Sequence, residues 1–289
     1  MTKILVTGAT GAIGREVVRA LRSKGLAVRA GARSPERVAD LEALGAEITP
    51  LDLTDPASAK AAFDGVDRVF LLTPFVEHFA PMVDAGVAAA RDAGVQFILR
   101  LSALGADPDS EEPLTREHGR AERKVADSGI AWSVIQATFL QDNLLTYGGE
   151  SVRGQDAFYG ASSGGKVSYV SAADVGAVAA EILADPEGHG SQTYVLTGPE
   201  AVDDGEVARL ASSAAGRPIQ YVDLSPDQLA EGLRSQQTPG WMVNHIIALE
   251  GIKSAGWAAQ VSPAVQEILG RRGESYASFL DRNRSRLTA

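Results

Sequence analysis

Cysteine is missing from the chain altogether. Disulfides, thiol nucleophiles and thiolate metal sites are therefore excluded. Histidine is scarce, and His78, His118, His189 and His245 stand too far apart to show any metal-ligand spacing. No apolar run approaches the length that crosses a bilayer. Met1-Thr2-Lys3 enters a strand directly, which leaves no signal peptide to expect and makes cytoplasmic residence the default. Positive charge is in deficit too. With 27 Lys and Arg against 37 Asp and Glu the net charge is −10, the wrong sign for a nucleic-acid surface. Internal repeats and low-complexity tracts are absent. The 289 residues, 45% of them hydrophobic, suffice for one large domain or one and a half.

What is present organises itself around Lys3-Ile4-Leu5-Val6-Thr7-Gly8-Ala9-Thr10-Gly11-Ala12-Ile13-Gly14. Ile4 to Val6 has the apolar character of a strand buried on both faces. After Gly14, Val17, Val18 and Leu21 recur at helical spacing among charged residues. Gly8 permits a sharp turn, Gly11 removes a side chain where a pyrophosphate would approach, and Gly14 lets the helix pack closely on its strand. Free N–H groups and the helix dipole at such a start hold phosphates. A glycine turn alone is weak evidence, but strand and helix on either side supply the context of a dinucleotide site.

The next strand, Leu26 to Ala32, carries the position that chooses the cofactor. An acidic residue at its end would bond the ribose 2′-hydroxyl and repel a 2′-phosphate. The chain has Arg33 there, with Arg37 a turn further, and a guanidinium matches a phosphate. NADP(H) is thus expected over NAD(H), although Arg33 as a plain solvated turn residue fits the same pattern. Ser34 and Pro35 read as N-cap and first helical residue. Further strands are expected at Ala46–Leu51, Asp67–Leu72, Gln96–Leu101 and Ile130–Gln136. Asp55 reads as the cap of a helix opening at Pro56, and Asp52 stands where it could accept from an adenine amino group. A helix is expected over Leu114–Ser128. This alternation predicts an α/β fold, a Rossmann-type doubly wound parallel sheet. Gly8, Arg33, Asp52, Thr73 and Ser102 all follow strands on its ligand-binding edge.

Beyond about Tyr147 the rhythm dissolves into glycine clusters and short strands, one of them around Val167 to Val170, and Asp174 reads as an N-cap. Two domains are expected: 1–147 for the cofactor, and 148–289 as a smaller α/β substrate lobe interleaved with the first. Phe139, Asn143 and Tyr147, with Trp241, Met242 and His245 at helical spacing, are candidates for the substrate pocket, though such stripes are more often core.

Taken together, Thr7 to Gly14, Arg33, Leu101-Ser102-Ala103, His118 with Glu122, Ser128-Gly129-Ile130-Ala131-Trp132 and Asp174-Val175 resemble the atypical short-chain dehydrogenase/reductases. The resemblance is to their NmrA-like branch, and within it to the NAD(P)H:quinone reductase type 2 and triphenylmethane reductase group. It implies that Thr10, Gly11, Ala12, Ile13 and Arg33 contact the cofactor phosphates. Asp52 and Leu53 would flank adenine and Thr73 would lie along the ribose. Pro74, Ser102, Gln136, Thr138 and Phe139 complete the implied cofactor set.

The departures are as telling. Ordinary members of that superfamily use a Tyr-x-x-x-Lys pair, yet no tyrosine lies between Ser102 and Tyr147, and Gln136-Ala137 stands where Arg-Pro is common. Reducing an ordinary ketone needs a positioned acid, worth about a hundred- to ten-thousandfold in rate. A quinone, imine or cationic dye delocalises the incoming electron pair and needs mainly to be held close. The expected activity is NADPH-dependent hydride transfer to such a conjugated acceptor. His118, Ser102 and Glu122 are the candidate catalytic groups. His118 and Glu122 are also spaced as a surface i,i+4 pair, and Ser102 also fits a strand-end serine serving local backbone. A non-catalytic NADP(H)-binding redox sensor is the alternative, and a sugar-nucleotide or ether-modifying enzyme is a third reading weakened by the absent tyrosine. The expected partner is a small aromatic-like substrate, with no nucleic acid or membrane, and the candidate assembly is a homodimer.

Overall fold

A computed structural model describes residues 2–288 and divides the chain into two compact units. The first comprises the chain through Ala137 together with Ala172–Leu196 and Glu267–Gly270. The second comprises Thr138–Ser171, Thr197–Gln266 and the chain from Arg271. The strands among the described residues are β1 (Lys3–Val6), β2 (Ala27–Ala32), β3 (Glu47–Pro50), β4 (Arg68–Leu71), β5 (Phe97–Ala103), β6 (Ala131–Ala137), β7 (Ala157–Gly160), β8 (Gln192–Leu196) and β9 (Gln220–Asp223).

In the first unit seven strands form one parallel sheet in the order β3-β2-β1-β4-β5-β6-β8. The chain winds outward from β1 to β3 and then returns to β4 on the other side of β1. That reversal leaves a crevice at the carboxyl ends of β1 and β4, where doubly wound sheets bind ligands. Thr7 clamps it. Its hydroxyl donates to the Leu72 carbonyl (2.7 Å) and accepts from the Leu72 N–H (2.8 Å). Helices cover both faces, so Ile4 to Val6 of β1 and the middle of β5 are buried, as parallel strands should be. The Ala12–Ser23 helix buries Ile13, Val17, Val18 and Leu21 and packs against the Ala172–Ala184 helix. Gly176 makes that approach feasible, since a Cβ there would lie 2.6 Å from the Glu16 carbonyl carbon.

The second unit pairs β7 with β9 in parallel and adds the helices Asp204–Ala215, Pro226–Ser235 and Gly240–Ser254. Ser225 and Gln228 form a reciprocal capping box.

Three local expectations are corrected. Val167 and Val170 form isolated bridges to Val202 and Leu140, antiparallel and parallel respectively. With a different partner at each residue, no strand ladder can extend. Asp174 is not the cap, because Ala172 and Ala173 already extend the helix and place it, buried, in the first turn. Ser34 precedes a short 3-10 turn, Pro35–Val38, without bonding it through its side chain. Asp55 does cap its helix, accepting from the Ala57 N–H at 2.9 Å. The helix expected from Leu114 runs Pro113–Ala126.

Candidate active site

Gly8 takes φ +65°, the left-handed conformation that lets the chain leave β1 and turn at once. Gly14 is locked by packing, since a Cβ there would sit 2.3 Å from the Gly8 carbonyl oxygen. Gly11 is different. Its φ of −80° and ψ of 165° suit any residue, and a Cβ would meet only the Gly8 oxygen at 3.5 Å. The fold therefore does not need glycine at 11, and the backbone there is open to a ligand. The first helical bond runs from Arg15 N–H to the Gly11 carbonyl (3.0 Å), so the N–H groups of Ala12, Ile13 and Gly14 precede it. No acidic residue occupies this first turn to repel an anion. The residues present fit a diphosphate.

Around that turn the carboxyl edge collects the other expected residues of the first unit. Arg33 is exposed directly after β2, and its charge reaches the Asp52 carboxylate. Asp52 accepts from the Thr54 N–H (2.9 Å) and hydroxyl (2.7 Å), and these bonds hold its carboxyl below the usual range. One Asp52 oxygen is thus already engaged. Leu53 turns its side chain into the core with Leu51, Leu71 and Val83. Thr73 and Pro74 follow β4, half-buried.

The next cluster lies at the ends of β5 and β6, where Ser102 pairs in register with Gln136. The Pro113–Ala126 helix brings His118 and Glu122 to it. Ser102 Oγ lies 3.3 Å from His118 Nδ1. The Gln136 amide donates to both Glu122 oxygens, at 3.0 and 3.1 Å. Burial pushes the Glu122 carboxyl up, against the hydrogen bonds of Ser102 and Gln136 and the charge of Arg100. His118 and Glu122 are therefore half-buried members of one network rather than a solvated surface pair. A carboxylate that receives donors on both oxygens is an acceptor only. Ser102 thus stands between the His118 ring and the Glu122 carboxyl.

Sequence reading misses two members of this cluster. Arg100 lies in the middle of β5 at 1% exposure. Phe79 packs its ring between the Arg100 guanidinium (5.6 Å) and the His118 ring (4.7 Å between centroids). A charge inside Phe97-Ile98-Leu99-Arg100-Leu101 is the signal that could have revealed the first; nothing in the sequence marks Phe79.

The remaining expected residues belong to the second unit. Thr138 is buried, and its Oγ1 has no hydrogen-bond partner among the described residues, a vacancy suited to a polar ligand atom. Phe139 lies edge-on to Tyr169 and beneath Lys253 Nζ at 5.4 Å. Asn143 is half-buried at the start of the short Asn143–Thr146 helix, whereas Tyr147 is 77% exposed. Trp241, Met242 and His245 are half-buried on the Gly240–Ser254 helix.

Residues 8–186 match a protein family described as NAD(P)H-binding. An NAD(P)H azoreductase of Xenophilus azovorans is 36% identical over 276 residues, 96% of each chain. A (4-alkanoyl-5-oxo-2,5-dihydrofuran-3-yl)methyl phosphate reductase of Streptomyces griseus is 35% identical, again over 96% of each. Among solved structures, an NADPH-dependent quinone oxidoreductase of Escherichia coli complexed with NADPH superposes with a TM-score of 0.85. It is 27% identical, and the match covers 97% of this chain and 99% of that one.

Proposed function

The chain belongs to the NAD(P)H-binding family, and from that premise we propose that it is an NADPH-dependent reductase of conjugated acceptors such as quinones, azo dyes and imines. The observation that carries this reading is the opening corner. Its middle glycine is required by nothing in the fold and is explained by a diphosphate against the backbone. The azoreductase and the quinone oxidoreductase support the acceptor class, and the NADPH complex supports the cofactor.

Gly8 to Gly14 would hold the diphosphate, Arg33 the 2′-phosphate, and Asp52 and Thr73 the adenosine and ribose edges. Bound NADPH supplies the hydride. Substrate selection is assigned to Phe139, Asn143, Tyr147, Trp241, Met242 and His245 of the second unit. His118, beside Ser102, would act as the proton donor to a reduced product.

Following NADPH absorbance against a panel of quinones, azo dyes and imines tests the function. Turnover of at least one class is expected. Tight NADPH binding with no turnover on any acceptor would instead make the chain a redox sensor.

Two variants test the assigned residues. Arg33→Ala should weaken NADPH about tenfold to a hundredfold while leaving NADH nearly unchanged, because only the former offers a phosphate to the guanidinium. Equal losses measured by calorimetry would remove the phosphate role. His118→Ala should leave quinone reduction within about threefold of wild type but slow any carbonyl reduction about a hundredfold. Parallel loss on both would show that His118 does something other than donate a proton.

A further inference from the structure

The turn that follows β2 has little of its own to hold it in place. Pro35–Val38 is a single 3-10 turn, closed by the Arg37 N–H on the Ser34 carbonyl (3.1 Å). Such short pieces are marginal alone. Ser34 supplies no side-chain cap, and neither does Val38 for the four-residue helix Ala39–Glu42 that follows. Val38 and Leu41 are buried and anchor the far end. A second hold comes from Arg15, directly after Gly14 on the Ala12–Ser23 helix. Its Nη1 donates to both Asp40 oxygens, at 2.6 and 2.7 Å, and its Nη2 donates to the Arg37 carbonyl. The Arg15 bonds hold the Asp40 carboxyl below its ordinary range. Arg19 adds a longer contact, 3.5 Å from Asp40, while bound to Glu16 at 2.6 Å.

One guanidinium thus ties the helix that opens the diphosphate corner to the turn bearing Arg33 and Arg37. Arg33 and Arg37 are exposed and make no hydrogen bond or ion pair among the described residues. The three arginines therefore divide the work: Arg15 is committed to protein atoms, and two guanidiniums stay free for a ligand phosphate. An exposed ion pair adds little to stability. What a doubly anchored guanidinium supplies is geometry, and a phosphate site binds best when its donors are preorganised.

We propose that Arg15 and Asp40 are positioning residues for cofactor choice: together they fix the turn from Arg33 to Arg37, so that its free guanidiniums meet the 2′-phosphate of NADPH. The inference rests on the NADPH reading above and adds which residues give the phosphate site its shape. Charge alone argues the opposite for Asp40. Removing a carboxylate near a phosphate site should tighten an anion, whereas removing an anchor should loosen it. The sign of the effect separates the two.

The test is calorimetry of NADPH and NADH on the full-length protein, with a melting curve for each variant. Asp40→Ala and Arg15→Met should each weaken NADPH about fivefold to tenfold and leave NADH within about twofold. Both should melt within about 2 °C of wild type. Asp40→Glu, which keeps the carboxylate, should retain the wild-type preference. On an Arg33→Ala/Arg37→Ala background, Asp40→Ala should change NADPH by less than about twofold, because nothing is left to position. Unchanged or tighter NADPH in Asp40→Ala overturns the proposal, as does an equal loss of NADH or an undiminished loss on the Arg33→Ala/Arg37→Ala background. If one single variant fails to fold the other decides, and failure of both makes the pair structural and overturns the proposal. Wild type that binds NADPH no better than NADH sinks the phosphate reading together with this one. A wild-type preference that survives both variants sinks only the roles of Arg15 and Asp40.

Discussion

Gly14→Ala is expected to destabilise the protein by about 3 kcal/mol, whereas Gly11→Ala leaves stability unchanged and weakens NADPH about a hundredfold. The two glycines are three residues apart in one motif, yet they answer to different physics. At Gly14 an added Cβ would lie 2.3 Å from the Gly8 carbonyl oxygen, 2.9 Å from its carbonyl carbon and 3.0 Å from Ala9 Cα. All three are backbone atoms, and Gly8 is itself committed to φ +65°. The clash can be relieved only by moving the helix off β1, which disturbs the buried contacts of Val17, Val18 and Leu21. For a domain of this size the melting temperature should fall by roughly 6–12 °C. At Gly11 a Cβ finds space and an ordinary φ/ψ, so the melt should be superimposable on wild type within about 2 °C. The methyl would instead occupy the place where phosphate oxygens must reach the N–H groups of Ala12 and Ile13. Wild-type NADPH affinity in Gly11→Ala, measured by calorimetry, would mean that the diphosphate is held somewhere else.

That contrast also shows what a sequence can and cannot disclose. The roles of Gly8 and Gly14 are legible because local geometry dictates them, and the family and structural matches agree with the sheet they imply. Arg33 and Asp52 are legible because strand ends in a doubly wound sheet share one edge. Arg100 escapes because a run such as Phe97 to Leu101 is read by its average character, and one charge does not alter the strand assignment. Gln136 reads as a departure from a family pattern, yet its amide still reaches both oxygens of Glu122, so geometry survives where charge does not. The second unit resists for another reason. β7 pairs with β9 some sixty residues on (Ala157 with Gln220), and Val167 and Val170 bridge to partners on opposite sides. Such non-local pairings leave no periodic trace in the strands that make them.

Lys253→Met is expected to cost the protein about 3–5 kcal/mol, the usual penalty for stranding one side of a buried ion pair. Lys253 Nζ lies 2.8 Å from Glu250 Oε1 and 3.5 Å from Asp204 Oδ2. Both carboxylates have second duties: Glu250 accepts from the Ala161 N–H at 2.8 Å, and Asp204 accepts from the Tyr169 hydroxyl at 2.6 Å. Removing the ammonium leaves two negative charges facing each other in an apolar setting, whereas Met keeps most of the volume beside Phe139 and Tyr169. Wild type should fail at alkaline pH. Burial opposes the charge on Lys253, but the two carboxylates outweigh it and raise the ammonium above its ordinary value. Its contribution is therefore complete below the unfolded pKa of about 10.4 and is lost as pH climbs through the folded one. Burial likewise raises Tyr169 and Tyr276, which retain protons that the unfolded chain sheds near pH 10. All three groups act with the same sign, so the melting temperature should hold to about pH 9 and fall steeply above about pH 10. A wild type whose melting temperature holds to about pH 11 would show that neither Lys253 nor the two tyrosines act through their protons.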